Sequence, residues 1–503
     1  MTLNIFYLNI YPLLVELFLF SIVCFCLIFG SIYSNSSSLQ FPILTKCIRF
    51  FILQGLFFSF ILLILTSPLF FIYWNNLLIN DSLAFYGKIL IYFFSLIWFL
   101  LFPNVKFILN FEFWILILLS IIALSLLLQA FDLLSVYLLI EFLSLTFYIL
   151  TSIHRNSEFS TESGLKYFIL GAFASSLLLF GFTLLYNFTG LTNLQDILLF
   201  FTGFSITFDS SITFTFGLFL SIFCILTALL FKLGAAPFHF WVPDIYEGAL
   251  TSVTSFFAIL PKITILTLLL RFLFLTFSSY LFTEIYFFLV ICTFLSSLFG
   301  TAGALIQTKW KRFIAFSSIT HISFFLLNLC SINIDNFIYL FTYLLIYLLM
   351  SSAFFGFFAI FSNFKFPNNF TPRFFNSLMF LNFTNQPLAI LFTIILFSFA
   401  GIPPLSGFFA KFFVLYSAVS SSFFFLVFSL LLFNCISCFY YINLIKKNYF
   451  ISIEFSYLPV VNSTAKIETL LVFNFLVALI SFLFLDFDSI FLFSNLLRSA
   501  FLN

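Results

Sequence analysis

Polar clusters divide the chain into long apolar stretches that show neither strand alternation nor a single wet helical face. Runs such as Phe57 to Phe71 and Phe423 to Leu432 are apolar all round, as expected of segments surrounded by lipid or by other embedded helices. A transmembrane β-barrel would instead alternate lipid-facing and lumen-facing residues in strands of about ten. Splitting at the polar clusters predicts fourteen spans, over residues 10–30, 50–74, 84–104, 110–129, 131–152, 164–187, 212–242, 252–277, 284–306, 311–331, 336–361, 386–418, 422–445 and 468–492. Each is long enough for a hydrocarbon core that takes about 20 helical residues. The expected fold class is an all-α polytopic membrane protein.

Charge orients these spans, because Lys and Arg resist translocation. Loops after odd-numbered spans, with the first few residues of the spans that follow, hold Lys46, Arg49, Lys106, Arg155, Lys166, Lys309, Lys311, Arg312, Lys365, Arg373, Lys446, Lys447 and Lys466, 13 of the 19 basic residues. Loops after even-numbered spans hold none, and carry Asp81, Asp132, Asp196, Asp209, Glu284 and Asp335. Both termini are therefore expected on the outer, non-basic side. One loop breaks the rule: the segment Asp244 to Ser252 should be basic, yet carries only Asp244 and Glu247.

Composition agrees with a lipid solvent. Of 503 residues 63% are hydrophobic, 92 are Phe and only 7% are charged, against about 25% charged in soluble domains. A net charge of +2 and the lack of a Gly-rich phosphate loop give no footing for a nucleic acid or a nucleotide. The N-terminus has neither a secretory nor an imported-precursor pattern. Seven of the eight Cys lie in apolar runs, where a thiol packs as a small hydrophobe; the Cys435/Cys438 pair is read the same way, with no metal site expected.

Five basic residues, Lys88, Lys232, Lys262, Arg271 and Lys411, fall beyond the first few residues of predicted spans. A centrally placed Lys costs at least about 2.5–3.5 kcal/mol to insert unless it snorkels. Lys88 and Arg271 lie near span ends and are expected to snorkel, while Glu16 is read as an interfacial or helix-contact residue. Lys232, Lys262 and Lys411 are too deep for that, as is Glu141 in YLLIEFLSLTFY, with Ser144 and Tyr148 on its helical stripe. Spans seven and twelve are interrupted at KLGAAPFHFWVP and AGIPPLSGFFAK. Pro237, Gly401, Pro403 and Pro404 mark these helix breaks, which in lipid are tolerated where they line a polar cavity. Paired breaks suggest two inverted five-helix repeats, 110–277 and 284–445, after three N-terminal helices (1–109) and before a C-terminal segment (446–503). Glu141, Lys232, Lys262 and Lys411, with His321 and either as relay or as backbone partner His239, form a string suited to proton relay. One charge pair at about 4 Å and an effective dielectric of about 20 is worth roughly 4 kcal/mol, or about three pKa units, enough to load or unload a lysine.

Four stretches, EFSTESGLKYFILGAFASS (158–176), FKLGAAPFHFWVPDIYEGA (231–249), QTKWKRFIAFSSITHISF (307–324) and FAGIPPLSGFFAKFFVLY (399–416), resemble motifs of the antiporter-like subunits of respiratory complex I. The resemblance implies fourteen helices, two inverted repeats and proton translocation, with Glu141, Lys232, Lys262 and Lys411 at the family's span-five, span-seven, span-eight and span-twelve positions. It implies no cofactor in this chain, with FMN, iron–sulfur clusters and ubiquinone held elsewhere in the complex. It also implies a multi-pass place in the mitochondrial inner membrane, and as partners the other complex I subunits, especially neighbouring antiporter-like ones, and membrane lipids. The alternatives weighed are a stand-alone or Mrp-type cation/proton antiporter, with a bacterial plasma membrane or thylakoid location, and a membrane scaffold.

Overall fold

The computed structural model describes residues 10–34, 41–66, 68, 70–103, 110–207, 212–276, 282–330, 336–361, 365–366, 368–369, 373–375, 381–450 and 466–499. Of the loop charges above, Lys106, Asp209 and Asp335 lie outside them. In chain order the helices are α1 (Leu14–Ser34), α2 (Phe41–Leu65), α3 (Ser82–Leu101), α4 (Glu112–Gln129), α5 (Leu133–Ser152), α6 (Glu158–Thr189), α7 (Leu194–Thr207), α8 (Ile212–Leu233), α9 (Trp241–Gly248) and α10 (Thr251–Arg271). There follow α11 (Phe282–Ile306), α12 (Trp310–Cys330), α13 (Asn336–Phe361), α14 (Leu381–Thr384), α15 (Gln386–Ala400), α16 (Ser406–Ser420), α17 (Phe424–Tyr449), α18 (Ile467–Phe482) and α19 (Phe487–Arg498). Among the described residues, thirteen helical segments are long and apolar enough to cross a membrane, and the shorter apolar helices α15 and α16, in series, supply a fourteenth span.

Several boundaries differ from the sequence reading. The second span is Phe41–Leu65 rather than 50–74, so Lys46 and Arg49 sit in the first turns of α2. Arg49 donates to Pro103 O (2.8 Å) and Phe99 O (3.0 Å), satisfying carbonyls at the end of α3. The stretch from 71 belongs instead to an antiparallel hairpin, Phe71–Tyr73 (β1) with Leu78–Asn80 (β2). Trp74, Asn75 and Asn76 turn it at positive φ, which asparagine tolerates better than most residues. Segment 244–252, read as a loop, is largely the short helix α9. A further helix, α7, fills what was read as the outer loop after span six. The last span ends at Phe482, where a short 3-10 turn and the Asp486 cap start α19 as a separate helix.

The two ends of the bundle differ chemically. At one end Asp132 accepts from Thr192 (2.9 Å), Asn193 donates to Asn76 O (2.9 Å) and Asp81 caps α3. At the other, Lys166, Lys309 and Arg312 gather around Asp244 and Glu247 of α9.

Helix α10 is the axis of the packing: every residue from Ser252 to Arg271 is buried. It runs antiparallel to α3 and is tied to it near both ends. Arg271 reaches both oxygens of Asp81 (2.8 and 2.9 Å), and the Trp98 indole donates to Ser255 Oγ (2.7 Å) and Ser252 O (3.0 Å). The expectation that Arg271 snorkels is therefore corrected. It is 1% exposed and held by an internal carboxylate, which lowers the cost of burying a guanidinium.

Removing one partner of such a pair costs about 3–5 kcal/mol, whereas removing both is nearly neutral. Arg271→Leu should thus lower the thermal midpoint of the detergent-solubilised protein well below that of Asp81→Asn/Arg271→Leu, in which Asn still caps α3. Equal midpoints in the two variants would refute this reading of the pair.

Candidate functional site

The seventh span breaks at Gly234, whose φ of 80° closes the end of α8. Gly234 and Ala235 donate back to Leu230 O (3.0 Å each), and the Trp241 indole of α9 donates to Phe231 O (2.8 Å). The freed carbonyls are thereby satisfied without lipid contact. Lys232 stands in the last turn of α8, where the negative end of the helix dipole favours an ammonium. Its side chain faces a cavity of about 30 Å³, also lined by Lys262, Ser144, Tyr167, Trp241 and Tyr246. That is room for about two waters. Lys262, 4% exposed, lies across the same cavity, one residue after Pro261 within α10. Its Nζ is 2.5 Å from the Tyr347 hydroxyl and 4.4 Å from that ring's centre.

Glu141 stands apart from the cavity lining. It is half-buried, on a stripe of α5 with the exposed Leu134, Leu138, Leu145 and Ile149. Ser144 donates to its carboxylate (3.1 Å), and Glu141 acts electrostatically on Lys232. No ion pair within 4 Å joins it to a lysine among the described residues. Tyr148, third on that stripe, is buried, and its hydroxyl fills the space a side chain at Gly171 would need.

The twelfth span breaks in a parallel way. Gly401 at φ 83° ends α15, and a Pro403-Pro404 step leads into α16. Here the lysine itself closes the helix end: Lys411 Nζ donates to Phe399 O (2.7 Å), Ala400 O (3.1 Å) and Asn434 Oδ1 of α17 (2.6 Å). All three ammonium protons have an acceptor. Gly407 is needed for the close approach of the two halves, since a Cβ there would lie 1.9 Å from Ser398 O. Lys411, Asn434, Ser437 and His321 line a second cavity of about 10 Å³, at most about one water.

His321 of α12 connects the two sites. Its Nδ1 is 2.7 Å from the Tyr343 hydroxyl, and its ring lies 5.4 Å, centre to centre, from both Tyr347 and Phe399. Lys262, Tyr347, His321 and Lys411 are thus consecutive neighbours across α10, α13, α12 and α16. His239 is not part of that row. It is buried just beyond the break beside Pro237, stacked against Phe240 (4.8 Å) and Phe299 (5.5 Å). Sequence reasoning missed Tyr343, Tyr347 and Asn434. The i, i+4 spacing of the two tyrosines in an otherwise apolar span was the available signal for the first two.

An embedded helical bundle broken at two lysine-bearing spans describes a class, and comparison with known proteins narrows it. Residues 130–437 match the family described as NADH:quinone oxidoreductase/Mrp antiporter, TM. NADH-ubiquinone oxidoreductase chain 2 of Marchantia polymorpha is 36% identical over 440 residues, 86% of this chain and 88% of that one. NADH-quinone oxidoreductase subunit N of Pelagibacter ubique is 39% identical over 341 residues, 67% and 69% of the two chains. A chain of respiratory complex I from Thermus thermophilus superposes with a TM-score of 0.73 at 25% identity, covering 93% of this chain and 97% of that one. The chain belongs to the NADH-ubiquinone oxidoreductase chain 2 family, whose bacterial relatives are named NADH-quinone oxidoreductase subunit N.

Because Lys411 caps two carbonyls of α15, Lys411→Met should destabilise the protein more than Asn434→Leu, which removes a single acceptor. An unsatisfied buried carbonyl costs about 1–3 kcal/mol. Thermal inactivation of the two variants side by side checks the order, and a milder loss for Lys411→Met would overturn the capping role.

Proposed function

We propose that the chain is a core membrane-arm subunit of respiratory NADH:ubiquinone oxidoreductase in the mitochondrial inner membrane, translocating protons without carrying a redox centre. Family membership supports the assembly. The observation that carries the pumping role is the row of buried neighbours Lys262, Tyr347, His321 and Lys411, with Lys232 across a cavity from Lys262. Intramembrane ionisable groups are costly and mark ion pathways. In this reading, water in the cavity carries a proton between Lys262 and Lys232. The Tyr347 hydroxyl accepts from Lys262, and its ring packs against His321, whose Nδ1 meets the Tyr343 hydroxyl. Glu141, half-open on the flank of α5, supplies a counter-charge to Lys232.

Helices α4–α6 and α8–α10 act in this reading as one five-helix repeat and α11–α17 as the other, each with its own broken span. FMN, iron–sulfur clusters and ubiquinone belong to other subunits, which supply the driving energy. Antiporter-like neighbours and lipid cover the exposed flanks, including the face that carries Glu141.

Native gel electrophoresis of mildly solubilised membranes, stained for NADH oxidation, should place this chain in the active high-mass band by mass spectrometry. Within that complex, Lys232→Met and Glu141→Gln should each lower ubiquinone reduction and coupled proton transport severalfold. Unchanged values for both in assembled complex would refute the pump. Absence from the band, with sodium- or potassium-driven pH changes in vesicles holding the chain, would support the cation/proton antiporter instead.

A further inference from the structure

A second buried charge pair lies outside both five-helix repeats. Glu16 in the first turn of α1 and Lys88 of α3 are each 3% exposed, with 2.5 Å between Glu16 Oε1 and Lys88 Nζ. This corrects the expectation that Lys88 snorkels, and of the two readings of Glu16 it is the helix contact that the structure bears out.

Three packing registers fix the depth of the pair. Along antiparallel α3 and α10, Asp81 meets Arg271 and Trp98 meets Ser255, which sets Lys88 level with Thr264, two residues from Lys262. At about 1.5 Å per residue that is only about 3 Å of depth. Along α3 and α4, Gly87 packs on Leu128 and Trp98 on Trp114, setting Lys88 level with Leu127, which lines the Lys232–Lys262 cavity. Along α1 and α4, Pro12 O accepts from Gln129 and Gly30 packs on Phe111, setting Glu16 level with Ser125. The pair therefore sits at the depth of the lysine cavity and beside its α4 wall.

Its surroundings are polar and incompletely satisfied. Among the described residues, Glu16 Oε2, the Tyr73 and Tyr92 hydroxyls and Gln129 Oε1 are buried without a well-formed hydrogen bond, Tyr92 lying beside Glu16 and Ser125 and Tyr73 beside Gln129. A pair that merely fastened α1 to α3 would gain from having these groups closed or apolar, because buried polar atoms without partners are costly. Groups that alternately give and take a proton need such open positions.

We propose that Glu16 and Lys88 form an additional proton-binding station beside the Lys232–Lys262 cavity. The inference rests on the pumping role proposed above. In the internal step the Nζ–H bond of Lys88 breaks as an Oε1–H bond forms on Glu16, turning ammonium and carboxylate into amine and carboxylic acid without change of net charge. A proton arriving from outside the pair binds either the Lys88 amine or the open Glu16 Oε2, and the hydroxyls of Tyr73 and Tyr92, each both donor and acceptor, border the site.

The test compares Glu16→Gln/Lys88→Met with Lys262→Met in intact complex reconstituted in vesicles. A fastening pair replaced by neutral side chains of similar size would be silent. The double variant is instead expected to assemble, to oxidise NADH normally with an artificial acceptor, and to move fewer protons per NADH oxidised through ubiquinone. If Lys262→Met lowers that ratio and the double variant matches the parent, the station is overturned and the pump stands. If Lys262→Met also matches the parent, the pumping role falls and the station with it. Should the double variant fail to assemble, infrared difference spectra of parent and Glu16→Asp, before and after NADH addition, decide. A carboxyl band that moves with the substitution supports the station, and identical difference spectra overturn it.

Discussion

Hydrocarbon offers no partner to a peptide group, and the rest of this structure answers to that constraint. Unbroken helices meet it automatically. The two breaks cannot, so each is built around donors that occupy the carbonyls released at Gly234 and Gly401. At the first break the backbone and the Trp241 indole suffice, leaving Lys232 to face the cavity it shares with Lys262. At the second the lysine ammonium itself is spent on Phe399 and Ala400.

The two lysines therefore have different freedom despite similar positions beside a break. Lys232 can change its protonation without loosening a helix end. Lys411 cannot release a proton without releasing an acceptor, so its chemistry is tied to the geometry of α15 and α16. Lys262 is intermediate, with one hydroxyl partner and open space on the Lys232 side. A graded series of constraints, from mobile to clamped, thus runs along the row of charges.

Much of this was legible in the sequence, because lipid makes apolar length and the sidedness of Lys and Arg direct structural signals. The breaks were legible too, since Gly and Pro act locally. What failed were judgements of depth and polarity that depend on neighbours. Lys88 and Arg271 were placed near the surface from their distance to predicted span ends, but their partners, Glu16 and Asp81, come from elsewhere in the chain. Helix α9 was read as a loop because Asp244 and Glu247 make it polar. Those acids are neutralised by Lys166 of α6, Lys309 just before α12 and Arg312 in its first turn, pairings that no local pattern reveals. The first strand of the hairpin, Phe71–Tyr73, was absorbed into an apolar run because it is as hydrophobic as a span.

Helix α10 is anchored by Asp81 at one end and Trp98 near the other, and no residue from Ser252 onward faces lipid. Sliding or tilting it would break both anchors and the packing at once, so Lys262 rides on a fixed post. Under the proposed pumping role, charge movement at that post is left to side chains and to the contents of the cavity, while α10 itself stays still. Slower collective motion, of microseconds to milliseconds, then belongs to other helices.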